Sequence, residues 1–264
     1  MSTDHFDKYF YYKNSVQEPE SDCLFIDETF TSLRGYSPNV VREDFCGTFS
    51  FCCEWVKKDP KNIAYGLDID EEPINYGKEK YLSEIPKDAQ ERVKITKGDV
   101  LQSNLPPVQV ICALNFSYFI FKERAELKAY FESAYKSLSS DGIFILDCFG
   151  GSQCYEANEE ETEDEELGYS YFWDQDSYNP VNNHGMFYIH FQRTGEEKRE
   201  KVFSYDWRIW SLAELKDILS EVGFSSSQVY WEGTDEDGDG DGLFTPTEKG
   251  EECESWIAYM VAKK

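Results

Sequence analysis

The stretch Val40–Trp55, VVREDFCGTFSFCCEW, begins as an apolar strand, yet Arg42, Glu43 and Asp44 interrupt it at its end. A lone glycine, Gly47, follows before helix-like spacing sets in at Thr48–Lys58. Charged residues at the end of a strand, then a glycine turn, then a helix mark the place where an α/β sheet meets a ligand. There the following helix offers unpaired N–H groups, and a glycine lets the backbone approach without a Cβ in the way.

The surroundings fit that reading. Strand-like runs recur at Asn39–Phe45, Asn62–Asp68, Arg92–Lys97, Val108–Leu114 and Gly142–Phe149. Helix-like segments separate them at Thr48–Lys58, Glu71–Ser83 and Lys122–Ser139, with Asp70 placed as an N-cap ahead of Glu71, Glu72 and Pro73. Alternation of this kind predicts a doubly wound α/β fold with a mostly parallel sheet. A helical pattern over Asp22–Leu33 precedes it, within an N-terminal cap spanning 1–37. The cofactor-binding core is expected over 38–150.

Beyond residue 150 the pattern changes. Glu156–Gly168, EANEEETEDEELG, is a charge run read as a solvated loop. Aromatic alternating stretches at Tyr169–Trp173, Met186–Gln192 and Lys201–Trp210 predict an inserted antiparallel β element over 151–210. Residues 211–264 return to a helix, with Ser211 and Glu214 at capping-box spacing, and then a closing hairpin of Ser227–Trp231 and Trp256–Ala262 around the loop Glu232–Ser255. The whole chain reads as one domain.

Composition narrows the function. The 264 residues carry 40% hydrophobic and 16% aromatic residues and a formal net charge of −26. Nucleic-acid binders neutralise phosphates with Lys and Arg, so nucleic acid is not expected as a partner, nor is an anionic membrane. No apolar run approaches the ~20 residues of a membrane span, and the N-terminus lacks a signal-peptide pattern, so the expected location is the cytoplasm. Eight cysteines include no C-x-x-C pair, so they read as small buried hydrophobes and no metal site is expected.

Two further acids end later strands: Asp68 in AYGLDIDEEP and Asp99 in ITKGDVL. Asp68 lies 21 positions after Gly47, near the ~20-residue spacing at which an acid meets a ribose diol. A dinucleotide is disfavoured, because its pyrophosphate wants G-x-G-x-x-G while Phe45 and Phe49 stand where glycines would be needed. Glu43 and Asp44 favour a cationic ligand instead.

These residues resemble the class I S-adenosylmethionine-dependent methyltransferases, over roughly Val40–Gly151 and again in the closing helix and hairpin. EDFCGT keeps the family's acid at Glu43 and its second glycine at Gly47, with Phe45 in place of the first glycine. The chain is similar in particular to a bacterial subgroup of unassigned substrate in REDFCGT, SYDWR and WEGTDED. The resemblance implies a seven-stranded sheet and S-adenosylmethionine as cofactor. It implies that Glu43 holds the methionine amino group, with Tyr11, Cys46 and Gly47 beside the ligand. Asp68 then takes the ribose with Ile69 against the adenine, Asp99 takes the adenine amino group with Val100 beside it, and ALNFSYF places Asn115, Phe116 and Tyr118 near the methyl group. Asn115 and Tyr118 are the implied catalytic pair.

The acceptor is read as a small molecule, with an amine as the favoured class, surrounded by aromatics from among Tyr11, Tyr12, Tyr118, Trp173, Tyr205 and Trp207 together with Arg208. His184 and His190 fall in the insertion, and His190 reads as structural. Aminopropyl transfer of the polyamine-synthase kind and non-catalytic cofactor binding stay open as rivals. The oligomeric state is not readable. DGDGDGLFTPTE fits EF-hand spacing at Asp237, Asp239, Asp241, Gly242 and Glu248. Strand-like flanks favour a solvated lid beside the active site over a calcium site.

Overall fold

The computed structural model describes residues 6–102, 104–235 and 240–264. Two helices lead, α1 (Lys8–Val16) and α2 (Pro19–Arg34). Strand and helix then alternate through β1 (Val40–Asp44), α3 (Ser50–Lys58), β2 (Ile63–Asp68), α4 (Glu71–Lys80), α5 (Lys87–Gln90), β3 (Val93–Lys97), β4 (Val108–Ala113), α6 (Arg124–Ser137) and β5 (Leu138–Gly150). An insertion follows as β6 (Asn158–Asp164), β7 (Tyr169–Asn179), β8 (His184–Arg193) and β9 (Arg199–Arg208). The chain closes with α7 (Leu212–Val222), β10 (Ser226–Thr234), β11 (Gly240–Thr247) and β12 (Trp256–Lys263).

The main sheet has the order β11-β10-β12-β5-β4-β1-β2-β3. Strands β1 to β5 pair in parallel, and β12 runs antiparallel between β5 and β10. One face of this sheet buries Ile26 and Phe30 of α2 with Phe51 and Trp55 of α3. The other buries Leu127 and Phe131 of α6 with Leu215 and Ile218 of α7. Apolar side chains at helical spacing supply both faces, as a sheet covered on both sides requires. The capping box at Ser211 and Glu214 forms as expected, and Asp70 caps α4 by accepting the Glu72 N–H at 2.9 Å.

Two expectations need correction. The charge run was expected to be a loop, but Asn158–Asp164 is the edge strand of the separate four-stranded antiparallel sheet β6-β7-β8-β9. An edge strand keeps its side chains in water, so repeated glutamates cost it little and discourage pairing with other chains. The stretch between the hairpin strands also contains β11, which pairs antiparallel to β10 and makes the sheet eight-stranded rather than seven. Phe244 explains it: its ring packs against Phe25 and Tyr259 at 5.8 and 4.6 Å, and Pro246 is tolerated on an edge. Asp237 and Asp239 of the EF-hand spacing lie outside the described residues. Of its described remainder, Asp241 and Gly242 lie in the edge strand β11 and Glu248 in the bend that follows it.

Candidate functional site

Strand alternation sends the three charged residues of β1 to opposite faces. Arg42 and Asp44 point to the α6 side, where the guanidinium meets the carboxylate through Nε at 2.8 Å and Nη2 at 3.0 Å, with both side chains fully buried. The Tyr130 hydroxyl donates to the same carboxylate at 3.0 Å. Glu43 points to the α3 side. It is 5% exposed and accepts the Cys52 thiol at 3.3 Å. Burial pushes its carboxyl well above the usual carboxylate range; the Cys52 contact works the other way, and the charges of Asp22, Asp68 and Asp44 add to the rise.

The turn after β1 explains how two phenylalanines replace glycines. Phe45, Gly47 and Phe49 have φ of 59°, 50° and 48°, so all three alternate positions are left-handed. The backbone at Phe45 and Phe49 therefore takes a conformation that glycine ordinarily supplies. Phe45 is held against Tyr130 at 5.4 Å and Phe121 at 6.0 Å, and Phe49 is fully buried. Packing of this kind offsets the ~1 kcal/mol or more that each left-handed non-glycine residue costs. The Gly47 N–H donates to Asp68 at 2.7 Å, so the glycine and the acid 21 residues apart are in direct contact. Gly77 of α4 fits beneath this turn, where a Cβ would run into the Thr48 carbonyl oxygen.

The other expected residues collect at the same ends of the parallel strands. Asp68 also accepts the Asp70 N–H at 2.8 Å; burial raises its pKa while these N–H contacts oppose the rise. Ile69 beside it is 71% exposed, an apolar side chain with no protein cover. Asp99 caps its own short turn by accepting the Leu101 N–H at 2.9 Å, and Val100 is buried. Asn115 and Phe116 follow β4, both with φ of 56°.

Three expectations fail here. Tyr118 is fully buried and its hydroxyl donates to the Asp147 carbonyl oxygen at 2.8 Å, so it braces the core and has no ligand-facing surface for catalysis. Tyr11 turns toward the insertion, stacking on Phe6 at 5.0 Å and meeting Tyr169 edge-on at 4.8 Å. Its neighbours on α1 face the strand ends instead: Tyr9 lies beside Glu72 and within the fields of Asp70 and Asp68, and Tyr12 lies beside Tyr205 and feels Asp147. Arg208 is committed elsewhere, to Glu214 at 3.0 Å, the Lys122 carbonyl at 3.1 Å and the face of Trp210.

The insertion roofs the strand ends with aromatics. Tyr205 stacks on Trp207 at 4.4 Å, and Trp207 meets Phe116 edge-on at 6.4 Å. Helix α1 ties this roof to α4: Ser15 bonds the Tyr169 hydroxyl at 2.8 Å, while Lys8 pairs with Glu72 at 2.7 Å and Tyr76 bonds Asp7 at 2.9 Å. The residue that the sequence reading missed is Asp147 of β5. It is 7% exposed and accepts the N–H groups of Asn115 at 2.5 Å and Phe116 at 2.9 Å. Burial pushes its pKa up to about 8 against those two bonds. An acid inside the apolar run GIFILDCFG was the available signal, since an acid in a central strand is buried at a cost unless it has partners. Asp22 of α2 adds a further acid, bonded by the Tyr259 hydroxyl at 2.8 Å and raised by burial to about 6.

His190 is structural as expected. Its Nδ1 accepts the Lys201 N–H at 2.7 Å, which leaves Nε2 to carry the proton toward Asp174 at 3.0 Å. Glu159, Asp174 and His190 bring three ligand atoms together, but a metal on Nε2 would require the lone pair that this tautomer lacks.

The strand order, the antiparallel closing pair and the ligand-facing turn define the class I S-adenosylmethionine-dependent methyltransferase fold. Among solved structures, the chain is similar to an S-adenosylmethionine-dependent methyltransferase from Clostridium acetobutylicum, with 17% identity, TM-score 0.69, and 97% of this chain and 96% of that one covered. It is also similar to an amino pentose methyltransferase from Micromonospora echinaspora involved in calicheamicin biosynthesis, with 12% identity, TM-score 0.67, and 100% and 99% covered. A sugar N-methyltransferase from a Streptoalloteichus species aligns at 13% identity, TM-score 0.66, over 100% and 96%. No protein-family model and no curated protein matches the sequence. Among the described residues, no helix is long and apolar enough to cross a membrane.

Proposed function

We propose that this protein transfers a methyl group from S-adenosylmethionine to a small, amine-bearing acceptor. The observation that carries the proposal is Glu43: a carboxyl buried at the proposed cofactor turn, whose ionisation burial and the charges of Asp22, Asp68 and Asp44 all disfavour, so that a cationic ligand would stabilise it as an anion. The residues fit the cofactor. Glu43 would hold the methionine amino group, the left-handed turn at Phe45–Phe49 would admit the main chain to the ligand, and Asp68 retains lone pairs for the ribose hydroxyls beyond its two N–H contacts. Exposed Ile69 would cover one adenine face, with Asp99 and Val100 at its edge. When bound, the cofactor supplies an electrophilic methyl group on a sulfonium.

The chain's part is then positioning and charge, because in-line displacement depends on the alignment of the nucleophile. Aromatic walls from Tyr12, Tyr205, Trp207 and Phe116 beneath the insertion would attract an ammonium through their faces. The structural likenesses include methyltransferases of sugars and of an amino pentose, which agrees with a compact polar acceptor. The test is a screen of cell metabolites against the purified protein with methyl-labelled S-adenosylmethionine. Label is expected on a low-molecular-weight amine. Label on RNA or DNA alone would refute the acceptor, and no binding of S-adenosylmethionine by calorimetry would refute the cofactor.

A further inference from the structure

Asn115 and Phe116 form two consecutive left-handed residues, neither of them glycine. Their adjacent N–H groups converge on one carboxylate: Asp147 Oδ2 takes the Asn115 N–H at 2.5 Å and Oδ1 takes the Phe116 N–H at 2.9 Å. Each oxygen serves one donor, so the carboxylate fits the pair in a way that no amide side chain would reproduce. The Tyr118 hydroxyl fixes the same residue from behind, through the Asp147 carbonyl oxygen. Phe116 in turn meets Phe149 at 4.8 Å and the roof residue Trp207. The loop held by Asp147 is therefore the one that joins the strand ends to the insertion.

We infer that Asp147 is a positioning residue for methyl transfer: its carboxylate clamps the loop Asn115–Phe116 in a strained left-handed shape and thereby sets the floor on which the acceptor is aligned. The inference rests on reading this cleft as the methyl-transfer site. The clamp is strongest in the ionised form, since a proton on either oxygen takes one of its lone pairs and removes the charge that strengthens both bonds. The titratable groups around the carboxyl are Tyr12 on α1, Asp22 on α2, Tyr118 in the turn after β4, Tyr259 on β12 and Cys148 beside it on β5. Asp22 and the burial both favour the protonated form, so the clamp tightens as pH rises through about 8.

The experiment is amide hydrogen exchange, resolved by residue, on the wild type and Asp147→Asn between pH 6.5 and 9.5, followed by assay of transfer. In the wild type, protection of the Asn115 and Phe116 amides should rise with pH around 8. In Asp147→Asn one of the two should lose protection by about 30-fold at pH 9, because an amide accepts with its oxygen only. Equal protection at all pH values in the wild type would overturn the clamp, and that measurement needs no variant to fold. With the acceptor found by the labelling screen, Asp147→Asn should lower kcat by about 100-fold while the affinity for S-adenosylmethionine stays within about threefold. An unchanged kcat would overturn the positioning role. Failure of the wild type to bind S-adenosylmethionine would instead overturn the methyl-transfer reading, leaving the exchange data to judge the clamp by itself.

Discussion

At the scale of single residues, Asp68 and the Arg42–Asp44 pair show how one stretch of sequence serves two ends. Asp68→Ala should weaken S-adenosylmethionine binding by about 2 kcal/mol, roughly 30-fold in Kd, because a charge-assisted two-point contact to the ribose is lost. Titration calorimetry on both proteins checks it, and equal affinities would remove Asp68 from the ribose. Arg42→Ala should destabilise the fold by about 3–5 kcal/mol, since Asp44 would be left buried with Tyr130 as its remaining named partner. Denaturant unfolding of Arg42→Ala, Asp44→Ala and the double variant should show the double costing less than the sum. The charges of β1 were legible in the sequence as a puzzle, and alternation resolves them. The left-handed turn was not legible, because sequence rules assign that backbone to glycine. Phe45 adopts it with rings from distant segments packed against it, and Phe49 adopts it fully buried.

At the scale of elements, the parallel core was readable because each strand and helix carries its own period. Edge strands were not. β6 is rich in glutamates and β11 opens with Gly240-Asp241-Gly242 and carries Pro246, which locally favour loops, and their hydrogen bonding to a neighbour decides the matter. Tyr11 was misplaced for a similar reason, since the direction of an aromatic on α1 depends on which sheet the helix rests against. Helix α1 spans from α4 to the insertion and so lies across both ends of the cleft. Tyr76→Phe removes its bond to Asp7, worth about 1 kcal/mol. The expected result is about fivefold faster release of the demethylated cofactor in stopped-flow, with little change in the fold's melting temperature. An unchanged release rate would show that α1 does not restrain the ligand.

For the whole molecule, the acid excess extends into the interior. Burial raises the Asp22 carboxyl to about 6 and that of Asp147 to about 8. A carboxyl with a raised folded-state pKa holds its proton in the native chain where the unfolded chain has lost it. Its stabilising share is complete below the ordinary carboxylate pKa and disappears as pH rises through the folded value. The ligand-free protein should therefore melt at a lower temperature at pH 9 than at pH 5.5, and Asp147→Asn should lose less of its stability between pH 7 and 9. Thermal unfolding across that range checks both, and a wild-type melting temperature that rises with pH would contradict them.

Glu43 gives these protons a further consequence. A carboxyl that burial pushes toward its protonated form would ionise more readily beside an ammonium, so uptake of the proposed ligand should release protons to the solvent. The heat of binding would then depend on which buffer catches that proton, differing between phosphate and Tris at one pH. Glu43→Gln would bind more weakly and with the same heat in both. On the proposed reading the cleft would act as a weak-acid resin, and its hold on an organic cation should tighten as the surroundings become more alkaline.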